Sequence, residues 1–322
     1  MKNICKKTNT VFLITTIVYI MTSLFMSLLS VRSIEPPIAV RLIMGEIIII
    51  IPGMIFILCS KTDLGEWLPF RKVKKSTIGF TILVTLAISP VLYFLNLLSQ
   101  LFVKNEALNL LGQMSDAPAI LVLLVVGVLG PVCEEITFRG IFFGGFKTSG
   151  RIIGAILWSG LLFGLFHMNL NQMGYAFVMG VTSAILIEVS GSIWPAIILH
   201  VLTNTYNVLQ LYITEFAYSR MGLDMNAVVE IAGSVSKGYI GVMAAILLPN
   251  AIGGIALAWL LFRAIMKREG RREYILSIIR PDKDNPEESK KPHVISFSGI
   301  LGAVICIIMI FAMELILNQF HC

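Results

Sequence analysis

PVCEEITFRG, residues 131–140, breaks an apolar run with three charges. The residues just before it, 121–130, are all Leu, Val or Gly, the composition of a helix buried in lipid. Glu134, Glu135 and Arg139 then follow on what should be the same helix. An ionisable side chain inside a membrane span is costly and marks a functional candidate. Whether this stretch lies in a bilayer decides the fold class, and the rest of the chain answers that.

Of the 322 residues, 57% are hydrophobic and 14% charged, whereas a soluble domain is roughly half apolar and a quarter charged. Mean hydropathy is +0.86. Runs long enough to cross a bilayer as helix recur near 11–30, 37–59, 77–102, 117–138, 152–168, 172–189, 193–213, 238–262 and 294–316. The fold class is therefore all-α, a polytopic transmembrane bundle of about 8–9 helices with a core of about four. N-terminal helices fill 1–110, the polar-bearing core 115–215, and C-terminal helices 216–322. The first span outruns the apolar region of a signal peptide and lacks a clear cleavage site. Cys5, Cys59, Cys133, Cys306 and Cys322 form no CxxC pair or disulfide framework, and Cys133 reads as a small apolar filler.

The net charge of +6 does not point to nucleic acid, because its distribution follows membrane topology. With nine spans and the N-terminus inside, segments 1–10, 60–76, 140–151 and 263–293 hold 3, 5, 2 and 9 Lys or Arg. The opposite loops hold only Arg32, Lys104, Arg220 and Lys237. That bias predicts a cytoplasmic N-terminus and an outer C-terminus. The excursion 263–293 reads as an amphipathic helix followed by a flexible linker.

Helix geometry sorts the opening cluster. Glu135 and Arg139 are four apart, the favourable order for a pair on one face, while Glu134 points about 100° away. Glu134 is thus the carboxylate without a partner in its own helix, suited to take up and release a proton. Glu134 and His167 flank the turn-like KTSGR, 147–151, at similar distances, which predicts similar depth. In the second helix Gly160 and Gly164 form a GxxxG pair that lets backbones approach closely, and Phe163 and His167 share a neighbouring face. In SGSIWPAIILH, 190–200, Ser192 reads as an N-cap and Pro195 as a first-turn residue. His200 and Asn204 then lie on one face, where two donors side by side can receive a developing oxyanion. Taken singly, Glu135–Arg139 or either His fits a structural role. A proton-coupled transporter could also place Glu and His at mid-membrane, and the isolated charges Arg41, Glu46 and Glu314 suit that reading.

At these residues the sequence resembles the CAAX protease and bacteriocin-processing (CPBP, or Abi) family, related to type II CAAX prenyl endopeptidases. The family's EExxxR, FxxxH and HxxxN/D motifs read here as Glu134-Glu135-Ile-Thr-Phe-Arg139, Phe163-Gly-Leu-Phe-His167 and His200-Val-Leu-Thr-Asn204. FRGIFFGGF, 138–146, after the first motif is also similar, and the likeness covers roughly 115–215. It implies peptide-bond hydrolysis within the membrane. Glu134 would be general base and then proton donor, His167 would hold the water, and His200 and Asn204 would receive the oxyanion. Glu135, Arg139 and Phe163 would position the site. Two His and a Glu also form a catalytic zinc set, with His167, His200 and Glu134 as ligands. With no HExxH and with Asn in the third motif, the reading is that no cofactor is required. The partners expected are the lipid bilayer and a membrane-associated peptide or protein, with no nucleic acid. A compact prokaryotic chain points to processing of, or immunity to, a small peptide rather than CaaX trimming. The alternative is a non-catalytic membrane regulator or immunity partner, with a transporter third.

Overall fold

The computed structural model describes residues 2–32, 36–60, 64–105, 117–223, 225–280 and 291–319, which include helices and no strand. The helices are α1 (Lys2–Val31), α2 (Ile38–Ser60), α3 (Lys75–Gln100), α4 (Ala119–Lys147), α5 (Ile152–Phe166) and α6 (Leu170–Ser190). They continue with α7 (Trp194–Ser219), α8 (Met225–Ser234), α9 (Lys237–Arg268), α10 (Arg272–Ile279) and α11 (Phe297–Gln319). Leu64–Trp67 adds a single turn between α2 and α3. Every segment expected to span is helical. The linker expected over 280–293 lies largely outside the described residues.

Two of the nine expected spans need correction. Among the described residues, seven helices are long and apolar enough to cross a membrane, and α5 and α7 are not among them. The α5 helix has 15 residues, about 22 Å at the usual rise, against a hydrocarbon core of about 30 Å. It stops at Phe166 because Met168 turns left-handed at φ 48°. Asn169 then caps α6, its side-chain oxygen accepting from the Gln172 N–H at 3.1 Å. The 26-residue α7 is long enough, but His200, Thr203, Asn204, Thr205, Asn207 and Gln210 dilute its apolarity.

The interior follows the sequence closely. Gly160 and Gly164 do mark a close approach: a Cβ on Gly164 would lie 2.6 Å from the Met173 carbonyl of α6. Such contact matters in lipid, where burial from water no longer drives helix pairing. Around this core α3 packs on α9 and α6, and α1 packs on α2 and α11. Outward faces are apolar, with Leu28, Leu86, Ile213 and Ile246 all well exposed.

The basic segments meet at one end of the bundle. There the Cys5 thiol reaches the Val294 carbonyl at 3.4 Å, and Arg151 donates to the Lys291 carbonyl at 3.2 Å. Lys74 donates its backbone N–H to Glu269 at 3.0 Å, and Ser192 donates to the Arg71 carbonyl at 2.6 Å. Ser192 is not the N-cap of α7; that position is Ile193, and the Ser192 hydroxyl accepts from the Trp194 N–H at 3.3 Å instead.

Candidate active site

The site is built on a helix that is not uniformly α. Within α4, π-helical turns at Leu123–Leu129 and Ile136–Phe143 flank a short α segment, Gly130–Glu135, which carries both carboxylates. Such wide turns are frequent at functional sites. Pro131 explains part of this, since it has no N–H to offer a carbonyl one turn back. Two carbonyls of that turn accept from α7: Asn204 Nδ2 donates to Val126 O at 3.3 Å, and Thr205 Oγ1 to Gly127 O at 3.2 Å. The sequence reading missed Thr205, although a proline inside an apolar run implies orphaned carbonyls needing a donor.

Glu135 is fully buried and engaged on both oxygens. Oε2 lies 3.2 Å from Arg139 Nε, the pair expected from their spacing. Oε1 lies 2.9 Å from His200 Nδ1, a contact that spacing could not reveal. Because a carboxylate only accepts, Nδ1 of His200 carries the proton. His200 then turns Nε2 toward Glu134, 3.7 Å from its Oε2. His200 thus bridges the two adjacent carboxylates.

Phe163 is the hub of the remainder. The His167 ring stands edge-on to it at 4.9 Å and the His200 ring at 5.7 Å, and the Arg139 guanidinium lies over its face at 4.1 Å. That stacking stabilises a buried cation, with room made by Gly180, where a Cβ would sit 3.0 Å from Arg139 Nη2. His167 caps the end of α5, and its Nδ1 bonds the Phe163 carbonyl at 2.9 Å. A carbonyl only accepts, so Nδ1 holds the hydrogen and Nε2 is left as a lone-pair acceptor. His167 makes no direct hydrogen bond to Glu134, His200 or Asn204. It shares the site with them through Phe163.

Several polar atoms here are buried without a hydrogen-bond partner: Glu134 Oε2, Glu135 Oε2 and the Arg139 guanidinium nitrogens. Glu135 and Arg139 are ion-paired with each other, whereas Glu134 has no such mate in its own helix. A second acid belongs to this neighbourhood. Glu46 of α2 packs its carboxyl into the notch at Gly130, where a Cβ would meet Oε1 at 3.0 Å. Glu46 and Glu135 are the acids whose charges bear on Glu134. The sequence placed Glu46 among isolated charges, since nothing in spacing ties α2 to α4.

Among the described residues no three His, Cys, Asp or Glu side chains converge as ligands.

Residues 116–206 match a family model described as type II CAAX prenyl endopeptidase Rce1-like. A Bacillus subtilis (strain 168) protein described as "Putative membrane peptidase YdiL" is 35% identical over 89 residues. That match takes in 28% of this chain and 36% of the relative, so the chain spans about a third of the relative's length. No solved structure matches the chain. All three motifs, from Glu134 to Asn204, fall inside the matched segment.

Proposed function

We propose that this chain, whose residues 116–206 match the type II CAAX prenyl endopeptidase Rce1-like model, is an intramembrane endopeptidase acting on a membrane-associated peptide. The observation that carries this reading is His200 set between Glu135 and Glu134. It joins a carboxylate paired with Arg139, which orients the imidazole, to one without such a pair, which can exchange a proton.

The steps follow from these positions. Glu134 takes a proton from water as the oxygen attacks the scissile carbonyl carbon. His167 Nε2 accepts from that water and holds it in place. As the carbonyl π bond breaks, its electrons pass to oxygen, and the second Nδ2 hydrogen of Asn204, beside His200 on the same face of α7, receives the oxyanion. The C–N bond then cleaves, and Glu134 returns its proton to the leaving nitrogen. Glu135 keeps His200 oriented, and Arg139 on Phe163 keeps Glu135 in place. No step requires a metal, so cleavage should survive strong chelation. Zinc lost together with activity on dialysis, and restoring it on addition, would overturn that.

The expected substrate is a small leader, bacteriocin-type or signal peptide of a prokaryotic membrane, with CaaX trimming the lesser reading. The basic end of the bundle faces the cytoplasm in this proposal, which Lys and Arg crowding supports. Reporter fusions after residues 76, 145 and 280 should all report the inner side. The deciding experiment compares secreted and membrane peptides from cells carrying wild type or Glu134→Gln. Peptides that accumulate uncut only in the variant support a peptidase. A variant that keeps the full cellular phenotype makes the protein a non-catalytic membrane partner instead.

A further inference from the structure

Glu46 lies outside the family-matched segment, on a helix with none of the three motifs, yet it reaches the site. Its Oε1 fills the Gly130 notch, one helical turn before Glu134 on α4. Its Oε2 is buried and has no hydrogen-bond partner. A buried oxygen left unpaired is costly to a fold. Glu135 Oε2 also lacks a hydrogen bond but is ion-paired with Arg139. Among the described residues Glu46 Oε2 and Glu134 Oε2 have no Arg or Lys partner, and they need a common explanation.

The charge around them supplies it. Titratable groups near Glu46 are Tyr19 from α1, and Cys133 and Glu134 from α4. Glu135 and Arg139 of α4 and His200 of α7 lie on the far side of Glu134. Arg139 is the one permanent cation of the set; it is ion-paired with Glu135 and stacked on the Phe163 face, and its guanidinium nitrogens make no hydrogen bond. Arg41 shares α2 with Glu46 but is five residues away, so it points to the opposite side of the helix. Two carboxylates thus share an apolar wall with no cation between them, and like charges so placed do not both ionise. One proton removes the repulsion and turns one orphan acceptor into a donor.

We propose that Glu46 is a positioning residue of the peptidase site, carrying a proton on its carboxyl group and donating it as a hydrogen bond to the Glu134 carboxylate. Glu134 lies in the family's first motif and must exchange protons in each turnover, so the resident proton belongs on Glu46. The bond fixes the rotamer of a side chain that no other donor holds. It also gives α2 a task in a site otherwise built from α4, α5 and α7. This inference rests on the peptidase reading for its catalytic consequence, but the proton itself is measurable without any substrate.

The test has two arms, on full-length protein in lipid bilayers at neutral pH. Infrared spectroscopy reads the carbonyl stretch of protonated carboxylic acids. A band present in wild type, absent in Glu46→Gln and shifted in Glu134→Gln is the expected result. A band indifferent to Glu46→Gln overturns the proposal, whether or not the protein is a peptidase. The kinetic arm compares Glu46→Leu with Glu46→Gln on a peptide cleaved by wild type. Glu46→Leu should lose about 10–100-fold in kcat, the worth of one hydrogen bond to a charged group, with KM unchanged. Glu46→Gln keeps an N–H donor and should recover most of that loss. Full activity in Glu46→Leu, or an equal loss in both variants, overturns the positioning role. Absence of any cleavage by wild type strikes the peptidase reading alone and leaves the infrared result to judge the proton.

Discussion

Two buried carboxylate clusters sit in this bundle, and they are finished differently. Glu188, at the basic end of α6, is saturated. Lys147 pairs with its Oε1, the Tyr274 hydroxyl donates to Oε2 at 2.6 Å, and Arg271 donates to its backbone carbonyl at 2.6 Å. Together they clamp α10 to the core. Glu134, in the middle of α4, has a buried oxygen that nothing satisfies. A carboxylate with both oxygens hydrogen-bonded is a fastener, and one with an oxygen left open is available for chemistry. Between the extremes stands Glu135, whose Oε1 bonds His200 and so orients it, while its Oε2 is only ion-paired with Arg139 and makes no hydrogen bond.

The sharpest way to break this contrast is Glu134→Gln. It keeps the volume and removes the base, so cleavage should fall by about 10²–10⁴-fold with protein yield unchanged. A large loss of yield would place Glu134 with the fasteners.

Glu135→Gln should behave in the opposite manner, because it strands the buried Arg139 cation. Breaking a buried pair by removing one partner costs about 3–5 kcal/mol, so yield and thermal stability should fall along with activity. Glu135→Gln combined with Arg139→Gln should regain part of the stability and none of the activity. Thermal unfolding of the three proteins in detergent reads this directly.

Asn204 and Thr205 sharpen the comparison further, since both cap carbonyls in the turn before Pro131. As caps, Asn204→Ala and Thr205→Val should each cost about 1–3 kcal/mol for an unsatisfied buried carbonyl. Only Asn204→Ala should also lower kcat, by about 10²–10³-fold, if its second N–H receives the oxyanion. Equal rates for the two variants would leave Asn204 a cap and nothing more.

The smallest effect is expected at the clamp. Tyr274→Phe removes one hydrogen bond at a partly exposed site, worth roughly 1 kcal/mol, and should leave cleavage intact. Burial, and then the negative charge of Glu188, push the Tyr274 hydroxyl above its ordinary range. A group whose pKa is raised by folding stabilises the fold fully below its unfolded pKa, about 10 for tyrosine, and loses that contribution as pH rises further. The wild-type clamp should therefore loosen in strong alkali, and Tyr274→Phe should lack that alkaline component. Proteolytic cleavage near 270–280, followed against pH, measures it.

Much of this was readable in the chain. Spacing put Glu135 with Arg139 and left Glu134 alone. The GxxxG pair marked a close approach for α5 without saying to which helix, and Lys and Arg placement separated the two ends of the bundle. These are local or compositional facts, fixed by helix pitch and by the cost of charge in lipid. The early end of α5 was harder to see, because an apolar run does not record where Met168 turns left-handed. Asn169, a good capping residue just after His167, was the one sign of it.

The sequence by itself therefore determined the helices, their membrane setting and which residues are too polar to be there by accident. Tertiary structure alone decided what those residues face. His200 lies 65 positions from Glu135 and bonds it at 2.9 Å, and Glu46 comes to the Gly130 notch from a helix with no motif of its own. Helical periodicity fixes neighbours three and four residues apart on one surface. It carries no information about which surface of another helix will lie opposite, and that is settled only when side chains from both are packed together.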